Sequence, residues 1–224
     1  MYILYMPKVK LAQKPTESNA PGWVKDHLEP LDSMKQERDL KRLELLLPGV
    51  SELFKELIDM LPNANTGSSE FPVAAGVVKV GESGKTLFIS KTLNRVNQLK
   101  DSTAHAEMTA LRMAEEVLDT KHLDGTYLLS TCEPCAMCCG AVEHTNISGI
   151  LFATSQTDMQ GSHMLVDGLY KPFRASPNSF SATEYLSDSS PNLLIVQGIG
   201  REATLQQLDR VHGGFASYYM DPDA

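Results

Sequence analysis

The sequence predicts an α/β layered domain preceded by a helical segment, and three observations carry that prediction. Between Val73 and Ala153, short β-branched runs alternate with stretches of helical periodicity, the pattern of a sheet with helices packed on it. From Ser33 to Met60, Leu40, Leu43, Leu47, Val50, Leu53, Phe54, Leu57 and Ile58 recur at spacings of three and four, as on an amphipathic helix. With 224 residues, 42% of them apolar and 21% charged, the chain can bury a substantial core without cross-links.

Taken in order, residues 1–70 form a helical N-terminal extension and residues 71–224 the main domain. Pro48-Gly49 interrupts the first apolar stripe, so two helices with a tight corner are expected there. Pro62–Ser69 has the composition of a linker. Val73–Val80 and Thr86–Ser90 flank Gly81-Glu-Ser-Gly84 and predict a β-hairpin, followed by a polar loop to Thr103. A helix over 104–118 presents Met108, Leu111, Met113 and Val117 on one face. Then come a strand over Thr126–Ser130, a helix over Cys135–His144 and a strand over Ile150–Ala153. Roughly forty residues separate that strand from the apolar run Leu193–Val196, enough for a crossover that pairs the two in parallel. Within the crossover, Lys171–Pro191 is rich in Pro, Ser and Asn and is expected to be a surface loop. Thr204–Val211 predicts a last helix, stopped at Gly213-Gly214.

Composition also excludes function classes. Twenty Lys and Arg against 28 Asp and Glu, a net charge of −8, is not the balance of a broadly basic nucleic-acid binder. No apolar run approaches the ~20 residues of a membrane span, so no membrane partner is expected. All four cysteines, Cys132, Cys135, Cys138 and Cys139, crowd into one short stretch, whereas a disulfide framework spreads its cysteines apart. A reduced, cytoplasmic, metal-binding protein is expected instead.

Two motifs carry the chemistry. His105-Ala106-Glu107 opens one predicted helix, and Pro134-Cys135-Ala136-Met137-Cys138 opens the next. Cys-x-x-Cys sets two thiolates one helical turn apart, within reach of a single ion, and an imidazole supplies a third ligand that Zn²⁺ accepts. Three protein ligands, His105, Cys135 and Cys138, leave a fourth position for water, the arrangement of a catalytic zinc. Glu107 then stands beside that water as the proton acceptor. His-x-Glu followed by Pro-Cys-x-x-Cys is the signature of zinc-dependent base deaminases. A rival from another class uses the same cysteines: Cys132, Cys135 and Cys138 match the first three ligands of an iron–sulfur electron carrier, although the required fourth cysteine and its proline are absent.

Asn94-Arg95, Asp101-Ser-Thr-Ala-His-Ala-Glu107, Cys132-Glu-Pro-Cys-Ala-Met-Cys138 and Gly140-Ala141 together resemble the zinc-dependent cytidine/deoxycytidylate deaminase-like superfamily. The likeness lies with the branch that holds guanine deaminases and tRNA-adenosine deaminases, and it covers roughly residues 71–212. It implies a three-layer α/β/α fold with a mixed five-stranded sheet, a homodimer, and Zn²⁺ held by His105, Cys135 and Cys138. It implies Glu107 as the catalytic proton shuttle and Asn94, Ala106 and Asp158 as substrate contacts, Asp158 having the alternative of a solvated loop aspartate. Hydrolytic deamination through a zinc-bound hydroxide, with release of ammonia, is the implied reaction.

Ser130-Thr131-Cys132 before Glu133-Pro134, Thr157-Asp158, and the later Asp167-Gly-Leu-Tyr-Lys171 are similar to guanine deaminases, so an amino-purine base or nucleoside is the expected substrate. The alternative, a tRNA-specific adenosine deaminase, needs basic residues for the RNA backbone. After residue 154 the chain offers only Lys171, Arg174, Arg201 and Arg210, and the tail from Gly213 has none. Phe215, Tyr218 and Tyr219 in that tail are expected to pack on the sheet.

Overall fold

The computed structural model describes residues 33–61, 71–159, 163–166, 169–172, 181–190 and 192–212. Two helices come first, α1 (Ser33–Leu46) and α2 (Val50–Met60). They are separated at Pro48-Gly49, where Gly49 adopts φ 85°, a left-handed conformation that glycine accepts without strain. The Glu44 carboxylate closes the corner, accepting the Gly49 N–H (2.8 Å), the Ser51 N–H (3.0 Å) and the Ser51 hydroxyl (2.6 Å). It thereby satisfies backbone donors at the start of α2 that have no helical partner.

The hairpin follows as β1 (Ala74–Val80) and β2 (Thr86–Leu93), then a short α3 (Val96–Leu99) and the longer α4 (Ala106–Leu118). Next are β3 (Tyr127–Cys132), α5 (Ala136–His144), β4 (Gly149–Thr154) and a four-residue α6 (Gln156–Met159). A small hairpin of β5 (His163–Val166) and β6 (Leu169–Pro172) stands apart from the main sheet. The chain continues through α7 (Ala182–Ser189), β7 (Leu194–Gln197) and α8 (Arg201–His212).

The main sheet has five strands in the order β2-β1-β3-β4-β7. β1 runs antiparallel to both β2 and β3, while β3, β4 and β7 are parallel. Residues 74–78 of β1 and every residue of β4 are buried, so both faces of the sheet are covered. α4 packs on β1 and β2 and touches α5, whereas α2 packs on β1, β2 and β3 and touches α8. This is the mixed five-stranded, layered α/β fold that the sequence implied. Close approach is required at Gly149, where a Cβ would lie 2.8 Å from the Leu194 backbone oxygen and 2.9 Å from the Tyr127 ring.

One core joins the N-terminal helices to the sheet: Leu43, Leu47, Phe54 and Leu57 cluster with Val77, Leu128, Leu129, Ile150 and Phe152. Most elements lie where periodicity predicts them, and β4 and β7 pair in parallel across a helical connection as expected. Four differences have physical causes. β2 continues to Leu93 because β1 supplies partners along its length, Ala74 pairing with Leu93. α4 starts at Ala106, with His105 as its N-cap. Of its expected face it buries Leu111, together with Ala106, Ala110 and Ala114, and leaves Met113 and Val117 exposed, because small alanines let the helix lie close on β1 and β2. α3 occupies part of the stretch expected as polar loop.

The largest departure is within Lys171–Pro191, expected as a surface loop, where α7 forms and buries Ala182 and Leu186. The Ser181 hydroxyl accepts the Glu184 N–H (3.3 Å), half of the reciprocal Ser-x-x-Glu cap that the composition of the segment obscured. Pro62–Ser69, Asp167, Gly168 and the tail from Gly213, with Phe215, Tyr218 and Tyr219, lie outside the described residues. Among the described residues no helix is long and apolar enough to cross a membrane.

Phe54 is 1% exposed in the shared core, so Phe54→Ala is expected to destabilise the whole molecule by about 3–5 kcal/mol. A single cooperative denaturation curve with a lowered midpoint is the expected result. An early separate transition, with the sheet unaffected, would show that α2 folds independently.

Candidate metal centre and catalytic site

Strand directions decide where the site can be. β2 and β3 both run antiparallel to β1, and Leu93 and Ser130 pair with the adjacent residues Ala74 and Ala75. The C-terminal ends of β2 and β3 therefore emerge at the same edge of the sheet. Parallel pairing brings the end of β4 there too, with Thr154 opposite Cys132. In open α/β sheets the carboxyl edge is where ligands bind.

From β2 the chain turns back through α3 to α4. The Asp101 side chain shapes this return, accepting the Thr103 N–H (2.8 Å) and the Thr103 hydroxyl (2.7 Å). The Arg95 N–H donates to the Ala104 carbonyl (2.9 Å), binding the residue after Asn94 to the residue before His105. Asn94 is 7% exposed and its N–H donates to Val73 (2.9 Å), so it stands at the sheet edge beside the start of α4. From β3 a two-residue link, Glu133-Pro134, leads to α5.

His105 is the N-cap of α4 and Cys135 the N-cap of α5, and neither side chain is used for capping. Both are free to meet. Cys135 Sγ lies 3.7 Å from His105 Nδ1, Cys138 Sγ lies 3.8 Å from the same nitrogen, and the two sulfurs are 3.6 Å apart. A tetrahedral zinc with Zn–S of about 2.3 Å and Zn–N of about 2.0 Å has ligand–ligand edges of about 3.5–3.8 Å. The donor set, one imidazole and two thiols, and its spacing thus fit Zn²⁺. Among the described residues this is the one such group of His, Cys, Asp or Glu. Cys132 and Cys139 do not join it; the Cys139 thiol instead points at the Pro134 carbonyl, 3.6 Å away. The four-sulfur cage of an iron–sulfur carrier is not formed.

In the metal-free protein the two thiols share their charge unequally. The hydrogen-bond contact with the Cys138 sulfur, helped by His105, holds the Cys135 thiol well below its ordinary range against the effect of burial. The same contact, with burial, pushes Cys138 far up, so it keeps its proton at neutral pH. Contact with Cys135 raises His105 against the opposing effect of burial.

Glu107, in the first turn of α4, is 4% exposed. Burial, with the nearby Cys135 thiolate, pushes its carboxyl up to about 7, while His105 and Ser130 act in the opposite sense. The Ser130 hydroxyl donates to Glu107 Oε1 at 3.4 Å. Ser130 has no role that a linear motif would disclose; it faces Glu107 only because β3 passes beneath α4. Ala106, between His105 and Glu107, is fully buried.

Asp158 is 8% exposed and belongs to an ion pair. Arg201 donates to it from Nε (3.0 Å) and Nη2 (2.5 Å), and the Ser155 N–H donates at 2.9 Å. Burial alone would raise this carboxyl, but the Arg201 and Ser155 bonds outweigh it and hold the group below its usual range. The solvated-loop alternative does not describe it.

Comparisons with known proteins converge on this region. Residues 50–154 match the model of the cytidine and deoxycytidylate deaminase zinc-binding region. Over 84 residues the chain is 46% identical to a tRNA-specific adenosine deaminase of Aquifex aeolicus, covering 38% of this chain and 52% of the relative. Over 96 residues it is 38% identical to a guanine deaminase of Bacillus subtilis, covering 43% and 56%. The chain thus spans about half the length of the curated relatives it matches. A solved guanine deaminase from Nitrosomonas europaea superposes with a TM-score of 0.53 at 27% identity, covering 73% of this chain and 81% of that one.

Two outcomes follow from the electrostatics. Because Cys138 holds its proton at neutral pH, zinc uptake must expel it. Adding Zn²⁺ to metal-free protein in weakly buffered solution is expected to acidify it, and zinc affinity is expected to fall as pH is lowered from about 8 to about 6. An affinity that does not change over that range would contradict the site. Asp158→Asn is expected to cost about 1–2 kcal/mol at neutral pH, discounted because the Arg201 side chain is 48% exposed. The wild-type advantage is full above the ordinary aspartate pKa of about 4 and disappears as pH falls through the lowered native value. Chemical denaturation of the two proteins should therefore converge in acid.

Proposed function

We propose that this protein is a zinc-dependent hydrolytic deaminase of an amino-purine base or nucleoside. The reading is supported by the match of residues 50–154 to the cytidine and deoxycytidylate deaminase zinc-binding region and by the similarity to guanine deaminases. The observation that carries this reading is the buried Glu107 carboxylate set beside the His105–Cys135–Cys138 trio at the carboxyl edge of the sheet. Water replaces an exocyclic amine on the ring carbon of an amidine; the C–N bond breaks, a carbonyl forms and ammonia leaves. His105, Cys135 and Cys138 would hold the zinc, which when bound supplies Lewis-acid activation of water.

The remaining work falls to the chain. A carboxyl whose pKa lies close to neutrality can both take and return a proton, so Glu107 carries protons from the water to the ring nitrogen and on to the departing amine. Ser130 fixes the rotamer of Glu107 through its hydroxyl. Asn94, at the end of β2, orients the base edge, and Ala106 brings backbone at the start of α4 close to the ring. Asp158 acts on the site from its ion pair with Arg201, as a fixed charge near Cys132 and Glu133. The protein works as a homodimer in a reducing compartment such as the cytoplasm, in keeping with its free thiols.

A second reading, a tRNA-specific adenosine deaminase, is favoured by the 46% identity to the Aquifex aeolicus relative. The net charge of −8 and the few basic residues after β4 favour the small substrate, since an RNA backbone needs Lys and Arg beside the site. Ammonia release measured over guanine, adenine, cytosine, their nucleosides and a tRNA anticodon stem-loop discriminates the two. Turnover of a free purine or its nucleoside is expected; turnover confined to the RNA would overturn the substrate assignment. Glu107→Gln is expected to keep its zinc and to lower kcat by about 10²–10⁴-fold. Full activity in that variant would remove Glu107 from the reaction.

A further inference from the structure

Glu133 is a buried carboxylate that the chemistry above does not use. It is 8% exposed and stands two residues before Cys135, in the link between β3 and α5. Its Oε2 accepts the Gln156 N–H (2.8 Å) and its Oε1 the Ala182 N–H (2.7 Å), donors that lie 23 and 49 residues further along the chain. The Glu133 N–H in turn donates to the Thr154 carbonyl (2.7 Å), and the Gln156 side-chain amide donates to the Pro134 carbonyl (3.4 Å). The link is thus held from the end of β4, from the start of α6 and from the start of α7.

Burying a carboxylate is costly unless its oxygens are bonded. Here each oxygen is matched to a donor on a different segment, something a single hydroxyl or a backbone carbonyl at this position would not achieve. Pro134 transmits the restraint: its ring fixes φ, leaving little rotation between Glu133 and Cys135. On the zinc-site reading above, we propose that Glu133 is a positioning residue for the metal centre, its carboxylate bridging the Gln156 and Ala182 N–H groups to set Cys135 against His105 and Cys138.

Glu143 provides an internal contrast. It lies near the far end of α5 and also ties that helix to α7, accepting the Tyr185 hydroxyl (2.8 Å) and the Ser190 hydroxyl (3.5 Å). Glu143 is less buried than Glu133 and lies at the other end of α5 from Cys135, so its loss loosens the tie between α5 and α7 without touching the cysteine link.

The test compares wild type, Glu133→Gln, Glu143→Gln and Ala182→Pro. Zinc affinity is read by competition with a chromophoric chelator, and ligand geometry by the thiolate-to-metal bands of the cobalt(II)-substituted protein. Glu133→Gln turns an amide N–H₂ towards one of the two backbone donors and is expected to weaken zinc about tenfold or more and to shift the cobalt bands. Ala182→Pro removes the other end of the bridge without altering the cysteine link. Ser181 is extended (φ −116°, ψ 122°), as a residue before proline requires, and the first helical position tolerates proline. Ala182→Pro is expected to act in the same direction, and it decides the matter if Glu133→Gln does not fold. Glu143→Gln is expected to stay within about twofold of wild type, being at the remote end of α5. Wild-type affinity and cobalt bands in a folded Glu133→Gln would overturn the proposal, as would an equal loss in Glu143→Gln. Failure of the wild type itself to bind zinc would instead overturn the zinc-site reading on which this proposal rests.

Discussion

The structure turns on bringing two helix N-termini together at one edge of a sheet. His105 and Cys135 each occupy the residue just before a helix, and β2 and β3 must end side by side for them to meet. Two thiols and a buried carboxylate thus stand at the positive ends of α4 and α5, and a helix N-terminus favours the charged forms of such groups. The contact between the two sulfurs drives Cys135 down and Cys138 up, while burial is the main cause that drives Glu107 up. A divalent metal held by both thiolates would take the place of those protons.

The scaffold serves this meeting point through connections that are mostly long in sequence. β1 is the hub: it pairs antiparallel with both neighbours and so aligns the ends from which α4 and α5 depart. α2, from the N-terminal stretch, covers β1, β2 and β3 and contributes Phe54 and Leu57 to the same core as Leu128 and Leu129. The helical region before residue 71 is therefore built against the strands that carry the site. At the other side of the sheet, Gly149 allows β4 and β7 to close up, and α7 fastens both ends of α5 through Glu133 and Glu143.

Substrate choice sits at a different level from metal binding. The chain is similar both to a guanine deaminase and to a tRNA-specific adenosine deaminase. What separates such proteins is the surface around a shared centre. Here Asp158 pairs with Arg201, one of the few cations after β4.

The sequence by itself determined what depends on neighbours within a turn or two of chain. His105-x-Glu107 and Cys135-x-x-Cys138 are legible because spacing along a helix start is local, and the apolar periodicity of α2 and the alternation of strands and helices are local too, whereas the face that α4 buries was misread. α7 was equally local in its Ser181-x-x-Glu184 cap, yet Pro, Ser and Asn nearby masked it. Tertiary structure alone decided that Ser130 reaches Glu107, that Asp158 pairs with Arg201 and that Glu133 bridges Gln156 and Ala182. Those partners lie 23 to 49 residues apart, and no local preference encodes which of many distant donors a buried carboxylate will find. That is settled only when the sheet has brought its carboxyl ends to one edge and the burial of each charge requires a partner there.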